Sequence, residues 1–306
     1  MRVTNKMLAN TVLNNLHADL KRLQKLQDQM SSGQIISKPS DDPVIGTRVM
    51  TLNSVMSQRN QYERNIDDAL GWLDTTEKAL GSLNDALQRA RELAVSGAND
   101  SMSQTDRIAL AEEVEQLKNN IMQIANTSYA NRYIFAGTKT TTMPFDTTGI
   151  YSGNSGVVGQ MNWELSQGVT MTINVDGNDA FNPDIAGVPS GGGGVPSTIF
   201  TILDNLQTDL QAGSTAQLSA SLSQFDAAID NTLNLRAAVG AKCNRLEMAK
   251  SRSSDEMINY EQLIAKLNDV DMAKLITDYT MQENVYQAAL NTGARVLQPS
   301  LLNFLS

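Results

Sequence analysis

Apolar residues recur every three or four positions along most of the chain, which is the spacing of amphipathic α-helices. The first series starts at Met7, and the glycine of Ser31–Gly33 provides a C-cap that ends it. A second series continues without a break from Pro43 to Val95 and predicts a single helix of about 80 Å. Because few compact domains contain so long a helix, we expect partner helices along its whole length.

The helical pattern continues after the second series. A capping box at Ser103–Asp106 predicts the start of a third helix. Further along, apolar residues seven positions apart predict a second very long helix from Leu218 to Leu267. A last helix follows and ends near Leu297. The simplest arrangement returns the C-terminal helices antiparallel along the N-terminal ones.

Residues 131–197 differ from both flanks because they are rich in threonine and glycine. Val169–Val175 alternates apolar and polar residues and, with "MNWEL" before it, predicts a β-hairpin. Gly191–Gly194, between two Val-Pro units, predicts a flexible loop. The predicted fold class is mainly α with a small β insert. Long helices from both termini form an antiparallel, coiled-coil-like rod with a mid-chain β-containing domain.

Five segments are expected within this fold. They are an N-terminal helix and turn (1–42), the N-terminal half of the rod (43–130), a β-rich outer insert (131–197), the C-terminal half of the rod (198–270) and a C-terminal helix (271–306).

Composition and charge argue against several classes of function. The net charge of −9 and the lack of a basic patch disfavour binding to nucleic acid or an anionic membrane. No stretch has the length of a membrane span, and the N-terminus lacks the apolar core of a secretory signal. These features alone are compatible with a cytosolic protein or with export that needs no cleaved signal.

The residues that most often carry chemistry are scarce. His17 is best explained as a solvated helix residue and Cys243 as a small, buried hydrophobe. Asp41 and Asp42 are adjacent, so on an extended backbone they point opposite ways and cannot share a proton or a metal ion. We therefore expect no enzyme, no catalytic, cofactor-binding or metal-binding residues, no cofactor and no small-molecule substrate.

Four stretches together resemble the superfamily of flagellins and hook-associated proteins. They are "MSSGQIISKPSDDPV", "DDALGWLDTTEKALGSLNDALQRARELAVSGAND", "RYIFAGTKT" and "NVYQAALNTGARVLQPSLLNFLS". The resemblance covers roughly the first 140 and the last 110 residues. It implies terminal helices in the inner tube of the flagellum, and unfolded export from the cytoplasm through the flagellar type III channel, without a cleaved signal, to the extracellular flagellum.

Two details favour a subunit at the junction between hook and filament. Flagellins tend to have "SAKDDAAG" where this chain has Lys38–Pro43, and the ending "PSLLNFLS" is similar to that of junction subunits. A short flagellin is the nearest alternative. An intracellular coiled-coil scaffold is a further one, although it would normally lack the insert. An enzyme in residues 131–197 would need a catalytic pair, and that segment has neither histidine nor cysteine.

The resemblance also implies sites and partners. The expected subunit-assembly residues are Leu13, Leu16, Leu20, Leu23, Ile276, Tyr286, Leu290 and Leu297. A flagellar export chaperone would bind Ile276, Tyr279, Tyr286 and Leu290 as a helix in a groove. The other expected partners are hook-associated proteins, flagellin and further copies of this chain in an axial ring.

The expected hinge is the turn between the first two helices, formed by Gly33, Pro39, Asp41, Asp42 and Pro43. The prolines bias the residues before them away from helix, and Pro43 suits the first position of the long helix. Ser40 or one of the aspartates can cap that helix.

Overall fold

The computed structural model describes residues 5–36, 38–188 and 197–297. Within these ranges the helices are α1 Asn5–Ser32, α2 Pro43–Gly97, α3 Gln104–Ala125, α4 Gly156–Gly159, α5 Gly177–Phe181, α6 Thr198–Ala212, α7 Thr215–Asn268 and α8 Met272–Leu297. The strands are β1 Ser128–Tyr129, β2 Arg132–Tyr133, β3 Asn162–Ser166 and β4 Val169–Thr172. The predicted loop at Gly191–Gly194 lies outside the described residues.

The predicted fold class is confirmed, and both very long helices are present. α2 is continuous over 55 residues and α7 over 54. The predicted cap of α3 is also present, since the Ser103 side chain accepts a hydrogen bond from the Asp106 backbone N–H at 3.2 Å. The Ser103 hydroxyl in turn donates to the Asp106 carboxylate at 2.7 Å.

The chain divides into two compact units. Residues 59–254 form the central unit, and residues 1–58 with 255–306 form the terminal unit. The five predicted segments differ from this division and stay a prediction.

The core of the central unit is built from the heptad rows of α2 and α7. The buried members on α2 are Ile66, Ala69, Leu73, Thr76, Leu80, Leu83, Leu87, Ala90 and Ala94. Those on α7 are Leu218, Phe225, Thr232, Val239 and Leu246. Burial of these rows is the main source of stability here, because the free energy gained grows with the apolar area removed from water.

Ion pairs set the register between α2 and α7 inside the central unit. Asp67 pairs with Lys250, Glu77 with Arg236 and Arg91 with Asp226, at nitrogen–oxygen distances of 2.7, 2.6 and 2.6 Å. As residue numbers rise along α2 their partners' numbers fall along α7, so the helices are antiparallel, as predicted. Arg236 and Lys250 interrupt the apolar rows in the sequence, and both are accounted for by these cross-helix pairs.

The insert forms the predicted hairpin. β3 and β4 pair antiparallel, with Asn162 opposite Thr172, and Gly168 takes a positive φ of 73° in the turn between them. A ring cluster then joins the insert to α6. Phe181 lies 4.9 Å from Phe145 between ring centroids, and Phe145 lies 5.9 Å from Phe200 of α6. The insert therefore shares a hydrophobic core with the helices.

Leu80 tests the importance of the buried heptad row. Its side chain has no exposed surface, so Leu80→Ala should lower the free energy of unfolding by about 2–5 kcal/mol through lost transfer energy and a cavity. Urea unfolding followed by circular dichroism measures this. Leu70→Ala, on the same helix but half-buried, is the matched control and should cost clearly less. Equal losses for the two variants would contradict the assignment of the core.

Candidate assembly surface

The two terminal helices pack against each other in the terminal unit. Gln282 of α8 donates a hydrogen bond from Nε2 to Asp19 Oδ1 of α1 at 3.1 Å. Gly293 is buried, and a Cβ atom at this position would lie only 2.9 Å from Val12 Cγ1. The earlier residue of α1 thus meets the later residue of α8, so the pair is antiparallel, as predicted. A glycine is needed at this point because the helices approach closely.

One row of side chains on each helix forms the seam between them. On α1 the half-buried residues include Val12, Leu16, Asp19, Leu23 and Leu26, and on α8 the half-buried or buried ones include Leu275, Tyr279, Gln282, Tyr286 and Ala289. Among the described side chains of α1, none is fully buried. The seam therefore withdraws only part of the apolar surface of the two helices from water.

A second apolar row on each helix points into solvent. On α1 it contains Leu13 and Leu20, seven residues apart, and on α8 it contains Ile276 and Leu290, fourteen residues apart. Met7, Met281 and Val285 are also exposed but lie on other sides of these helices. Leu13 is 45% exposed and Ile276 is 47% exposed. Scattered apolar residues are common on protein surfaces, but exposed apolar rows on two helices that pack together are typical of an interaction site.

The residues predicted for assembly divide between these two rows. Leu16, Leu23 and Tyr286 lie at the α1–α8 seam, whereas Leu13, Leu20, Ile276 and Leu290 are exposed. The side chain of Leu297 lies outside the described part of the chain. Of the residues predicted for the chaperone, Tyr279 and Tyr286 are half-buried and the other two are exposed. Sequence spacing merges the two rows because both repeat with the helical period.

The long helices change their burial where they enter the terminal unit. Ile45, Leu52 and Val55 continue the apolar rows of α2, and Tyr260 and Leu267 continue that of α7, but all five are only half-buried. Within the central unit the same rows are buried from Ile66 onward on α2 and as far as Ser253 on α7, whereas Tyr62 is still half-buried. The terminal unit thus has more apolar surface than its own helices cover.

The corner between α1 and α2 has the predicted geometry. Gly33 ends α1 with a positive φ of 69°, and Pro43 is the first residue of α2. Asp42 is the capping residue, since its Oδ1 accepts from the backbone N–H groups of Val44 at 2.9 Å and Ile45 at 3.1 Å. Carboxylates are favoured here because they satisfy free N–H groups and oppose the helix dipole.

The other predicted hinge residues shape the turn itself. Asp41 accepts at Oδ2 from the backbone N–H of Lys38 at 3.3 Å and donates its own N–H to the Lys38 carbonyl at 3.0 Å. Pro39 packs on α2 at Gly46, where an added Cβ would lie 3.2 Å from Pro39 Cα.

Asn268, at the end of α7, holds this corner to the C-terminal half of the chain. Its carbonyl accepts from the Ile35 N–H at 2.6 Å, and its side-chain Oδ1 accepts from the Ile36 N–H at 3.0 Å. The Val270 N–H returns a bond to the Gly33 carbonyl at 3.1 Å. Only 3% of Asn268 is exposed. Sequence reasoning missed this residue, because its partners lie more than 200 positions away and leave no local signal.

Asp271 caps α8 and was also missed. Its Oδ1 accepts from the backbone N–H groups of Ala273 at 3.0 Å and Lys274 at 3.2 Å. The stretch "NDVD" separates the two last predicted helices, and no cap was predicted in it. An aspartate immediately before an apolar helical series is an N-cap signal, so the sequence did carry this information.

The rest of the described chain offers little chemistry. Among the described residues there is no group of three or more His, Cys, Asp or Glu side chains placed to hold a metal ion. None of the described helices is long and apolar enough to cross a membrane. Burial raises the pKa of the half-buried Cys243 thiol, which keeps it protonated and a weak nucleophile.

Comparison with known proteins matches both ends of the chain. Residues 3–140 match the bacterial flagellin N-terminal helical region, and residues 222–305 match the bacterial flagellin C-terminal helical region. These matches contain α1 to α3 at one end and most of α7 with α8 at the other.

Full-length relatives agree with these matches. The chain is 29% identical to flagellar hook-associated protein 3 of Salmonella typhimurium, over 95% of this chain and 96% of that protein. It is 26% identical to a flagellin of Bacillus subtilis, over 94% of each. The crystal structure of flagellar hook-associated protein 3 from Legionella pneumophila has a similar fold, with a TM-score of 0.62 and 18% identity, over 72% of this chain and 98% of that one.

Asn268→Ala tests the connection between the two ends of the terminal unit. Removing the amide leaves the Ile36 N–H without its acceptor, which should cost about 1–3 kcal/mol locally. Hydrogen exchange should become faster at Ile35 and Ile36, while exchange in the central unit stays unchanged. Asn259→Ala, at an exposed position of the same helix, is the control and should have no such effect. Unchanged protection of Ile36 in Asn268→Ala would show that the bond does not hold the corner.

Proposed function

The chain belongs to the bacterial flagellin family and is a structural component of the flagellum, and we propose that it forms the junction between hook and filament. The observation that carries the assembly role is the uncovered apolar surface of the terminal unit. The central unit buries its own heptad rows, whereas the terminal unit leaves the same rows half-exposed and adds two exposed rows on α1 and α8.

Assembly in this proposal uses the exposed rows. Leu13 and Leu20 on α1, with Ile276 and Leu290 on α8, become buried against neighbouring subunits in an axial ring. Fully burying a side chain of this size stabilises a contact by about 1.5–3 kcal/mol. Several such side chains per chain, repeated around a ring, give a stable assembly from subunits that associate weakly in pairs.

The position at the junction, between other hook-associated proteins and flagellin, is supported by two features. Identity to hook-associated protein 3 is 29% over nearly the whole chain, against 26% for the Bacillus flagellin. The proline-flanked corner at Lys38–Pro43 also departs from the sequence that flagellins tend to have there. A short flagellin is the alternative, because its terminal helices would use the same apolar rows.

Export and a chaperone complete the proposal. The chain would leave the cytoplasm unfolded through the flagellar type III channel, and this route would need no cleaved signal. Before export, α8 is the natural target of a chaperone with an apolar groove. Tyr279 and Tyr286 are half-buried against α1, so a chaperone that contacts them must displace α1. Chaperone binding and α1–α8 pairing would thus exclude each other, which suppresses assembly in the cytoplasm.

Labelling of live cells tests the location. Val157 is 85% exposed in the insert, so Val157→Cys in a Cys243→Ala background gives one accessible thiol. A thiol dye that does not enter cells should stain one spot per flagellum, at the outer end of the hook. Staining along the whole filament would make the chain a flagellin. Cells with Cys243→Ala alone are the control for background labelling. Expression without external staining would contradict the flagellar location.

The exposed row of α1 can be tested separately from its packing on α8. Leu13→Ser with Leu20→Ser should leave the α1–α8 seam intact, because both side chains are exposed. The variant should be exported, but about tenfold less of it should be retained on flagella. A tenfold change corresponds to about 1.4 kcal/mol of binding free energy, and burying two leucine side chains contributes more than that.

The matched control is Asn10→Ser with Asn14→Ser, at exposed polar positions of the same helix. The measurement is the ratio of flagellum-bound chain to chain in the medium, by immunoblotting. Hydrogen exchange on the purified variants checks that α1 and α8 still pair. Full retention of the leucine variant would remove this row from the assembly surface.

A further inference from the structure

A second feature of the terminal unit is a groove with several cationic side chains. It lies between the last turns of α1 and the segment that follows that helix. Lys21, Arg22 and Lys25 line one side, Lys38 lines the other, and Ile35 lies between them. Gln29 closes the end, where its Nε2 donates to the Ile35 carbonyl at 2.7 Å. We call this the basic groove.

The charge of the groove is only partly compensated. Its lining contains two carboxylates, Asp28 and Asp41, against four cations. Asp41 already accepts a hydrogen bond from the Lys38 backbone. Asp19 lies 3.9 Å from Arg22, at the limit of an ion pair, and also accepts from Gln282. Ile35 is 39% exposed, so the groove offers both positive charge and an apolar contact.

The chain's excess of negative charge lies elsewhere. Residues 59–254 contain 22 Asp and Glu against 14 Lys and Arg. Within this central unit α3 has an outer face that presents Ile108, Glu112 and Glu115, all exposed. They are spaced four and three residues apart, so they lie on one side of the helix.

The cations of α3 do not neutralise this face. Arg107 is buried and donates to the carbonyls of Gly97 at 3.2 Å and Asn99 at 3.0 Å. Lys118 pairs with Asp204 of α6. The outer side of α3 therefore displays carboxylates around one exposed isoleucine. We call Ile108, Glu112 and Glu115 the acidic face.

We propose that the basic groove of one copy binds the acidic face of a second copy. The proposal rests on the assembly role given above and names a contact that adds to the apolar rows. Charges are complementary, and each surface offers one exposed isoleucine, Ile35 in the groove and Ile108 on the face. Long-range attraction between such surfaces speeds association and selects the correct partner and register.

In this proposal the contact is head-to-tail, so each contact uses the groove of one copy and the face of the next. Such an interface leaves one free groove and one free face on every pair, and repeats until a ring closes or a helical array grows. A self-complementary interface would stop at a dimer. A head-to-tail contact is therefore the kind that an axial assembly requires. Because both surfaces are solvent-exposed, the contact should weaken as salt increases.

Charge exchange between the surfaces tests this contact. The first variant has Lys21→Glu and Lys25→Glu, the second has Glu112→Lys and Glu115→Lys, and the third has all four changes. Each replaces the native chain in cells, and flagellum-bound and released chain are compared by immunoblotting. The first two should be retained about tenfold less, because like charges then face each other, and the third should recover. Lys266→Glu with Lys274→Glu, exposed cations outside the groove, is the control.

Recovery of the third variant, with normal retention of the control, supports the proposal. Normal retention of the first two variants overturns it, as does equal loss in the control, which would indicate an effect of net charge alone. A third variant that remains released also overturns it, provided that circular dichroism shows all chains to be folded. Absence of the native chain from flagella would instead overturn the proposed function itself.

Discussion

The structure depends on where the apolar rows of the two very long helices, α2 and α7, are covered by other side chains. Within residues 59–254, the rows of α2 and α7 are removed from water together with side chains of α3, α6 and the insert. Beyond that unit the same helices continue with the same heptad pattern, but the described side chains of the terminal unit leave it only half-buried. The central unit therefore buries its apolar rows within one chain, whereas the terminal unit is stabilised further when additional apolar surface packs against it.

The second half is made jointly by both ends of the chain. α1 and α8 share a seam, and Asn268 joins the corner after α1 to the connection between α7 and α8. Because those hydrogen bonds link residues far apart in sequence, each end helps to hold the other in place. The apolar rows of either end alone therefore form no complete surface.

Charged residues have a different role from apolar ones. Inside the central unit the pairs of Glu77 with Arg236 and Asp67 with Lys250 are partly exposed, so each adds little stability, but both form only in the observed antiparallel register and so favour it. The basic groove and the acidic face extend the same division of roles to contacts between chains. Apolar rows supply affinity, and charge selects which surfaces meet and in which orientation.

The sequence by itself determined the long helices, their approximate ends, the β3–β4 hairpin and the cap at Ser103, and it limited the cap of α2 to Ser40 or one of the two aspartates after it. These features depend on local rules, namely hydrophobic period, turn residues and the pairing of a side chain with nearby backbone. The specific stretches quoted above also determined the family.

Tertiary structure alone decided which apolar residues face which neighbour. Leu13 and Leu16 belong to the same sequence pattern, yet one is exposed and the other lies at the α1–α8 seam, because the angle at which a second helix packs is set by distant contacts. Asn268 has the same origin. Its partners Ile35 and Ile36 come to it through the fold, so no local window of the sequence contains them all.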